Sequence, residues 1–426
     1  DLLHRRRIRD GGENLPHNWH FQRTREVLLC ESRRQRNQKP KARSSQGRGD
    51  PGEELATLIP ETGAGAIFTE EEHSPVARSR DAELAETLPL RLMGGLTVHP
   101  PDAVRQADGK PHTVFTPFKK AWKALPLPLV RDVLEPPARL TAVPGIHSLP
   151  IPEQPALSAE APFPPGEAEA HRRLQDFVDG RVSGLSGDVA PIYGYDGMRD
   201  RLDLDSSSEL SPYLRFGKLS ARQAVVSALS AMDAAPDAEA KYSAELWLDA
   251  LIRREFAISI LYHYPHALRQ GFRAESRNLP WENDQAAFRS WAEGRTGYPL
   301  VDAAMRQLVQ TGWLHNRARM VAASFLVKDL LVDWRLGEEF FMQHLLDGDL
   351  AANNDGWQRV AGTGTGAGPY LGILNPALQG KRHDPDGAFV RRWVPELTRV
   401  PKRYVHQPWT MPLDVQEESG CVIGHD

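Results

Sequence analysis

Two polar clusters in the C-terminal half of the sequence contain side chains that could hold a nucleotide cofactor. The first is the serine-rich segment from Asp205 to Gly217, in which hydroxyl and backbone N–H groups precede a predicted helix. Such groups suit a pyrophosphate. The same serines could instead cap a helix in an ordinary loop, so this segment alone leaves both interpretations open.

The second cluster runs from Asp347 to Trp357 and is rich in aspartate and asparagine. Buried carboxylate and amide groups need hydrogen-bond partners, which either the polar edge of a planar heterocycle or the neighbouring backbone can provide. Upstream of this cluster, Arg319 is a candidate counter-ion for Asp347. The cluster therefore indicates a polar site without deciding what fills it.

Tryptophan is concentrated in the same half of the chain. Seven of the ten tryptophans lie between Trp247 and Trp393, which predicts either a large aromatic core or an aromatic cofactor pocket. The sequence has no P-loop, no hydrolase nucleophile elbow and no zinc-protease helix. The glycine-rich run from Gly362 to Gly368 is followed by Pro369 rather than by a helix start, which makes it a weak phosphate loop.

Composition limits the class of protein. The 426 residues allow two or three domains, and a mean hydropathy of −0.47 predicts a soluble chain without a membrane span. The formal net charge of −4 excludes a uniformly basic nucleic-acid coat but leaves room for a local basic groove. Cys30 and Cys421 are too few for a disulfide framework or a cysteine-ligated metal site, so we expect no metal and a reducing cytoplasm.

Four regions follow from the patterns along the chain. Residues 1–48 form an unassigned basic segment, interpreted as either an unstructured end or a nucleic-acid-binding arm. Residues 49–130 alternate helix-like and strand-like stretches, which predicts part of an α/β domain. Residues 131–165 are proline-rich and predict a linker. Residues 166–426 show a 3.6-residue apolar period and predict an all-α domain.

Individual elements can be predicted within these regions. Apolar runs predict strands at 64–68 and 96–98. Gly312 and Gly348 are placed to cap the C-terminal ends of helices. Helices are predicted near 53–59, 80–84, 168–180, 221–232, 243–261, 300–310, 317–332 and 337–346.

Four segments, taken together and in their order along the chain, resemble a known family, although no single one of them identifies it. Residues 297–308 (GYPLVDAAMRQL), 312–320 (GWLHNRARM), 347–354 (DGDLAANN) and 375–380 (NPALQG) closely resemble the FAD-binding helical domain of the DNA photolyase and cryptochrome family. The resemblance extends from residue 166 to 409, and residues 51–124 look like the second half of the family's N-terminal domain. It implies an incomplete Rossmann-like α/β domain followed by an all-α FAD-binding domain.

The resemblance implies FAD folded into a U inside the helical domain. Asn353 matches the residue that faces the reactive edge of the flavin, where a neutral amide stabilises reduced flavin better than a carboxylate does. The positions that match the family's FAD-binding residues are Tyr195, Ser207, Ser208, Glu209, Leu210, Ser211, Trp247, Arg254, Asn316, Arg319, Asp347, Gly348, Asp349 and Asn353.

Three tryptophans match the family's electron relay between the protein surface and the flavin. They are Trp357, Trp334 and Trp281. Taken singly, each is equally well explained as a core residue. As a matched set they imply a catalytic role beside Asn353, in which the protein supplies the spacing between the indoles and the cofactor supplies the one-electron chemistry.

The activity that the resemblance implies is that of a class I cyclobutane pyrimidine dimer photolyase, a carbon–carbon lyase. Such an enzyme flips the dimer out of DNA and splits it by light-driven electron transfer from reduced FAD. The expected partner is damaged DNA, bound by a monomer. The residues that match the family's DNA-facing or lesion-facing positions are Arg199, Asn316, Arg317, Met320 and Gln379. Arg253 and Arg359 occupy two further positions of this DNA-facing set with a residue type that differs from the family pattern.

The sequence departs from the family pattern on the lesion-facing side. Arg253 and Arg359 stand where aromatic residues are expected to stack on the dimer, and Ala250 stands where a carboxylate is expected. Gly366 and Gly372 replace an aspartate and an arginine of the pattern. These departures favour an alternative, a cryptochrome-like blue-light photoreceptor without repair activity, or a relative that has lost activity.

The N-terminal region leaves a further alternative open. Family members carry an antenna chromophore, a folate or a deazaflavin, in their α/β domain. Residues 1–48 lack the hydrophobic first strand and the apolar segments that should follow it. The resemblance implies an antenna chromophore, and the sequence does not indicate whether it is a folate or a deazaflavin.

Overall fold

The computed structural model describes residues 26–28, 46–134, 145–146, 149, 162–180, 190–366 and 372–424. Most of the predicted basic segment and most of the predicted proline-rich linker lie outside the described residues. The chain divides into two compact units, residues 1–67 with 136–153 and residues 68–135 with 154–426.

The first unit contains a pair of short strands and one helix among its described residues. Strands β1 (Glu26–Leu28) and β2 (Gln46–Arg48) pair antiparallel. Helix α1 (Pro51–Thr62) begins after Asp50, whose carboxylate accepts hydrogen bonds from the first free N–H groups of the helix. It ends at Gly63, whose φ of 68° lies in the left-handed region that a glycine adopts without strain.

A β–α–β segment leads into the second unit. Strands β3 (Ile67–Glu70) and β4 (Leu90–Met93) form a two-stranded sheet and are connected through α2 (Pro75–Thr87). Helix α3 (Phe115–Ala124) follows. The predicted strand at 96–98 is wrong, because the backbone N–H of Val98 donates to the carboxylate of Glu255 instead of to a neighbouring strand.

The rest of the described chain is helical, as the 3.6-residue period predicts. The predicted combination of an α/β region and an all-α domain is confirmed. The helices are α4 (Glu167–Asp179), α5 (Tyr195–Met198), α6 (Ser211–Arg215), α7 (Ala221–Asp233), α8 (Ala238–His263), α9 (Gln285–Ala292), α10 (Pro299–Thr311), α11 (Asn316–Ser324), α12 (Trp334–His344), α13 (Leu350–Ala361), α14 (Pro376–His383), α15 (Ala388–Trp393) and α16 (Leu413–Ser419).

Two details of the helical prediction are corrected. The helix predicted at 317–332 is α-helical only to Ser324 and continues as a π-helical turn, Phe325–Asp329. Gly312 caps α10 in the left-handed conformation as predicted, whereas Gly348 caps no helix. Helix α12 already ends at His344, and the carbonyl of Gly348 accepts a hydrogen bond from Arg215.

The core of the second unit is aromatic and includes residues of α3. Trp122 and Phe118 of α3 are fully buried and pack in one cluster with Phe256 and Trp247 of α8. A second cluster surrounds Trp291 and contains apolar residues of α10 to α13 and α15. Helix α8 therefore joins α3 to the helical core within the second unit.

A buried carboxylate fixes α8 against the segment that follows β4. Glu255 is 5% exposed and accepts hydrogen bonds from the N–H of Val98 at 2.6 Å and from Nε1 of Trp122 at 2.7 Å. Burial raises the pKa of Glu255, while its hydrogen bonds act in the opposite direction. Each of these donors is satisfied by this one side chain, so the packing of α8 against α3 depends on it.

Replacing Glu255 tests this dependence. In Glu255→Ala the indole N–H of Trp122 and the N–H of Val98 lose their acceptor, and each buried donor left unpaired costs about 1–3 kcal/mol. We expect urea unfolding of the full-length protein to show that loss. The control is Glu245→Ala on the same helix, which removes a partly exposed ion pair with Lys123 and costs about 0–1 kcal/mol. Equal destabilisation by the two variants would contradict the role of Glu255.

Candidate cofactor and nucleic-acid site

One cavity of about 380 Å³ collects most of the side chains that the sequence singled out. Helix α8 contributes Trp247 and Arg254, and α11 contributes Arg319. Helix α13 contributes Asn353 and Trp357. Its volume lies within the range of about 300–1,000 Å³ that is usual for sites of small ligands and cofactors. Residues distant in sequence thus meet because three helices pack around one space.

The serine segment lines the cavity and does not cap a helix. The residue that precedes α6 at its N-terminus is Leu210, and no side chain there accepts a capping hydrogen bond. The hydroxyl of Ser208 instead accepts from Nε1 of Trp247 at 3.3 Å. The interpretation of these serines as ordinary helix caps is therefore wrong, and Ser207, Ser208 and Ser211 face a ligand-sized space.

Glu209 interrupts this serine segment in an unusual backbone conformation. Its φ of 48° lies in the left-handed region, which is rare for a residue with a side chain. The carboxylate is held by Arg173, whose Nη1 lies 2.7 Å away. Burial raises the pKa of Glu209, and Arg173 acts in the opposite direction. Because Glu209 is held in this way, the surrounding serine loop presents its hydroxyl groups in a fixed arrangement.

The predicted ion pair between Arg319 and Asp347 forms at the cavity wall. Nη2 of Arg319 lies 2.9 Å and 2.8 Å from the two oxygens of Asp347, and Nε of Arg319 donates to the carbonyl of Leu314 at 2.8 Å. The side chain of Asp347 is 4% exposed. A carboxylate so deeply buried needs this cation, and the pair leaves a charged, oriented edge beside the cavity.

Helix α13 supplies the polar groups next to that edge. Asp349 is its N-cap and accepts from the N–H of Ala352 at 2.8 Å. The amide of Asn353 donates to the backbone carbonyl of Glu338 at 3.0 Å, and the amide of Asn354 donates to the carboxyl of Glu338 at 2.9 Å. Asn353 therefore bridges to α12 from within α13, which explains its fixed orientation at the cavity wall.

Glu338 is a buried carboxyl directly behind these amides. It is 5% exposed, and burial raises its pKa to about 8. The hydrogen bond from Asn354 opposes that shift. At neutral pH Glu338 is therefore mostly protonated, and the region behind Asn353 carries no negative charge from this residue.

The three predicted relay tryptophans belong to one core. Trp357 and Trp334 are each 2% exposed, and Trp281 is partly buried against the same cluster. Of the three, only Trp357 lines the cavity. Gly337 lies against the ring of Trp357 so closely that any Cβ there would overlap it. The close approach of α12 to α13 therefore requires glycine at this position.

Sequence reasoning did not single out Trp291, which contacts Trp357. Its ring centroid lies 6.2 Å from that of Trp357 at an angle of 73°, and its N–H donates to the carbonyl of Ala322. Phe341 lies on another side of Trp357, with ring centroids 5.0 Å apart. Trp291 carries no local signal of this contact, because only the packing of α9 in the helical core creates it.

The predicted residues divide clearly between those that line the cavity and those that lie elsewhere. Of the expected FAD-binding set, only Gly348 is outside the lining. Of the DNA-facing set, Arg317 and Gln379 are outside it, as are Trp334 and Trp281. The members that line it are Tyr195, Arg199, Ser207, Ser208, Glu209, Leu210, Ser211, Trp247, Arg253, Arg254, Asn316, Arg319, Met320, Asp347, Asp349, Asn353, Trp357 and Arg359.

Side-chain contacts hold several of the predicted residues in place. Arg317 forms an ion pair with Asp200. Arg254 donates to the carbonyl of Leu96 at 2.7 Å, which connects the cavity wall to the segment after β4. The guanidinium of Arg199 lies 5.3 Å from the ring centroid of Tyr195. The glycine-rich run begins with Gly362 as the C-cap of α13, so its described part follows a helix and not a strand.

A charged residue of the cavity wall was missed by the sequence reasoning. Asp355 lines the cavity on α13, one turn before Arg359. Its position four residues before an arginine is the spacing of a helical ion pair and could have drawn attention to it. Arg215, whose Nε donates to Gly348, carries no comparable signal.

The fold and the site together define a class of protein. A helical domain whose cavity combines indole walls, hydroxyl groups, a buried ion pair and an amide is suited to an aromatic nucleotide cofactor. Within the described residues, no cluster of histidine, cysteine, aspartate or glutamate could hold a metal ion, and no helix is long and apolar enough to cross a membrane.

Comparison with known proteins identifies the family. Residues 247–426 match the family model described as the FAD binding domain of DNA photolyase, and residues 19–138 match the model described as DNA photolyase. A deoxyribodipyrimidine photo-lyase from Synechococcus is 39% identical over 394 residues, which cover 89% of this chain and 79% of the relative. The chain belongs to the DNA photolyase family.

Solved structures agree with this placement. A bacterial class III photolyase from Agrobacterium tumefaciens superposes with a TM-score of 0.79 at 33% identity, over 88% of this chain and 78% of that chain. A cryptochrome from Synechocystis gives a TM-score of 0.75 at 27% identity over the same shares. The resemblance expected from the sequence is confirmed.

The residues of the cavity fit FAD. Trp247 and Trp357 offer aromatic surface for the rings of the cofactor, and the serine hydroxyls offer donors for its phosphates. Asn353 and the Arg319–Asp347 pair offer polar groups for the edges of a heterocycle. A cavity with this donor set matches the cofactor of the family domain that residues 247–426 represent.

Removing the cation of the buried pair tests this fit. In Arg319→Gln the carboxylate of Asp347 stays buried without its partner, and loss of a hydrogen bond to a charged group costs about 1.5–3 kcal/mol. We expect FAD to bind roughly 10–100-fold more weakly, measured by flavin fluorescence during titration of the deflavinated protein. The control is Arg306→Gln, whose equally exposed arginine pairs with Glu396 outside the cavity. Unchanged FAD affinity in Arg319→Gln would contradict the assignment.

Proposed function

We propose that this protein is a light-dependent DNA-repair lyase that splits cyclobutane pyrimidine dimers. The observation that carries the proposal is that residues suited to FAD and residues suited to DNA line the same cavity. Membership of the DNA photolyase family and relatives named deoxyribodipyrimidine photo-lyase support it. The chemistry that bound, reduced FAD supplies in such an enzyme is light-driven transfer of one electron to the dimer, returned after the ring opens.

The residues of this chain would bind and orient the two reactants. The Ser207–Ser211 loop and the Arg319–Asp347 pair hold the cofactor, and Asn353 is oriented towards it through its bond to Glu338. The protonated carboxyl of Glu338 keeps an anion away from the region where negative charge must be accommodated. The apolar core around Trp357 excludes water on that side.

DNA would approach from the side where arginines line the cavity. Arg199, Arg253 and Arg359 are the arginines of the proposed DNA-facing set that line the cavity, and Asn316 and Met320 of α11 line it as well. A dimer flipped out of the helix needs a pocket that offsets a few kcal/mol of lost base stacking. Arg317 and Gln379 belong to the same proposed DNA-facing set, although they lie outside the cavity lining.

A second candidate function is blue-light sensing without repair. The lesion-facing exchanges favour it, because Arg253, Arg359 and Ala250 replace the residues that would hold the dimer by stacking and by a carboxylate contact. Likeness to a solved cryptochrome is compatible with it. The antenna chromophore, the monomeric state and the cytoplasmic location stay predictions.

A light-dependent repair assay separates the two functions. Protein loaded with FAD and reduced without oxygen is mixed with a duplex that carries one thymine dimer, and dimer loss is followed under blue light and in darkness. The proposal expects loss only under light. A protein that binds and photoreduces FAD but leaves the dimer intact would support the photoreceptor and overturn repair.

The proposed relay makes a separate prediction. In Trp357→Phe the indole nearest the cavity is lost, so we expect photoreduction of oxidised flavin to slow by at least tenfold, measured by absorbance under continuous blue light. Repair that starts from chemically reduced flavin should persist, since the relay is not needed there. The control is Trp393→Phe, a buried tryptophan of the same core that lies outside the proposed relay. Unaltered photoreduction in Trp357→Phe would exclude the relay through this residue.

A further inference from the structure

Two arginines and one aspartate from different helices meet in the cavity wall without full charge compensation. Arg253 comes from α8, and Asp355 and Arg359 come one turn apart on α13. Nη1 of Arg253 lies 4.0 Å from Oδ2 of Asp355, at the outer limit of an ion pair. The side chain of Asp355 is only 13% exposed, so this loose contact lies in a partly desolvated place.

A ring face also holds Arg253. Its guanidinium carbon lies 3.9 Å from the ring centroid of Phe115 on α3, within the range of a cation–π contact. Phe115 in turn packs edge-on against Phe256, with centroids 5.8 Å apart. The guanidinium is therefore positioned in advance by Phe115 and Asp355.

Positive charge exceeds negative charge around this group. The charged residues that act on Arg253 are Arg359, Arg199, Asp355 and Asp249. Asp249 is already paired with Lys119 at 2.6 Å and with Lys123 at 2.9 Å, which leaves Asp355 as the carboxyl shared by Arg253 and Arg359. Burial raises the pKa of Asp355, and these two arginines oppose that shift. Burial and the nearby Arg359 both lower the pKa of Arg253, the direction expected where cations crowd together.

Arg359 carries a further sign of an absent partner. Its Nε is buried and has no hydrogen-bond acceptor among the described residues. A buried donor on a charged group is costly when unpaired, so the surroundings of Arg359 do not compensate this cation fully. A guanidinium presents its N–H groups in a planar fork that matches the oxygens of a phosphate.

We propose that Arg253 and Arg359 form a phosphodiester clamp for the DNA backbone, with Asp355 as an internal counter-ion that the phosphate displaces. The proposal rests on the DNA-binding part of the proposed function and changes its physical basis. Affinity for DNA would come from neutralised phosphates. In the family pattern, a pair of aromatic rings would supply that affinity by stacking on the lesion. Binding would then respond steeply to salt and discriminate weakly between damaged and undamaged strands.

Salt dependence of DNA affinity in the dark tests the clamp. The FAD-loaded 426-residue protein is titrated with two duplexes of one sequence, with and without a thymine dimer, across about 50–300 mM NaCl. A phosphate contact contributes about one unit to the slope of log affinity against log salt. Arg253→Gln and Arg359→Gln should each lower the slope by about one unit for both duplexes, and the double variant by about two.

Two further variants make the outcome specific. Asp355→Asn removes the competing carboxylate, so the slope should become steeper and low-salt affinity higher, the opposite of the arginine variants. Arg306→Gln, whose arginine pairs with Glu396 outside the cavity, should leave the slope unchanged. Flavin absorbance per protein confirms that each variant is folded and loaded.

The outcomes separate the clamp from repair. A loss of affinity confined to the dimer-containing duplex, with an unchanged slope, would show that the arginines contact the bases and would overturn the clamp. Light-dependent repair with unaltered slopes would overturn the clamp alone. Altered slopes with no repair would support the clamp and overturn the lyase function.

Discussion

The site depends on how helix α8 is fixed, and a single buried carboxylate fixes it. Glu255 satisfies the indole N–H of Trp122 and the N–H of Val98 from the interior of the helix. Its neighbour Arg254 reaches the carbonyl of Leu96. Because these bonds set the position and rotation of α8, they also place Trp247 and Arg253 in the cavity wall. The segment from Leu96 to Trp122 thus stabilises a site that lies among the helices of the same unit.

Helix α13 contributes one pair of residues suited to the cofactor and a second, charged pair to the cavity. Asn353 and Trp357 are one turn apart, and so are Asp355 and Arg359. The first pair consists of an amide oriented by Glu338 and an indole packed against Gly337, both suited to the cofactor. The second pair is charged and lies near Arg253. Cofactor and DNA can therefore be held close together because one helix contributes to both sides of the cavity.

Much of this arrangement was predictable, and the failures have local physical causes. Helical periodicity located the long helices, since an apolar face must meet the core in every turn. The strand predicted at 96–98 failed because its apolar pattern could not reveal that the N–H of Val98 is taken by a distant carboxylate. Gly348 was misread as a helix cap because α12 ends earlier, at His344. Both errors concern partners far away in the sequence.

The sequence by itself determined the family, the order of the helices and most of the residues that line the cavity, because these depend on local pattern and on motif order. Only the tertiary structure decided that the serines of the 205–217 segment face a cavity and cap no helix, and that Trp291 contacts Trp357. It also decided that Arg253 and Arg359, from two helices, both lie near the carboxyl of Asp355. Charge balance and burial are sums over neighbours from several helices. A linear pattern contains the charges but not the distances between them, and those distances decide which charges stay uncompensated.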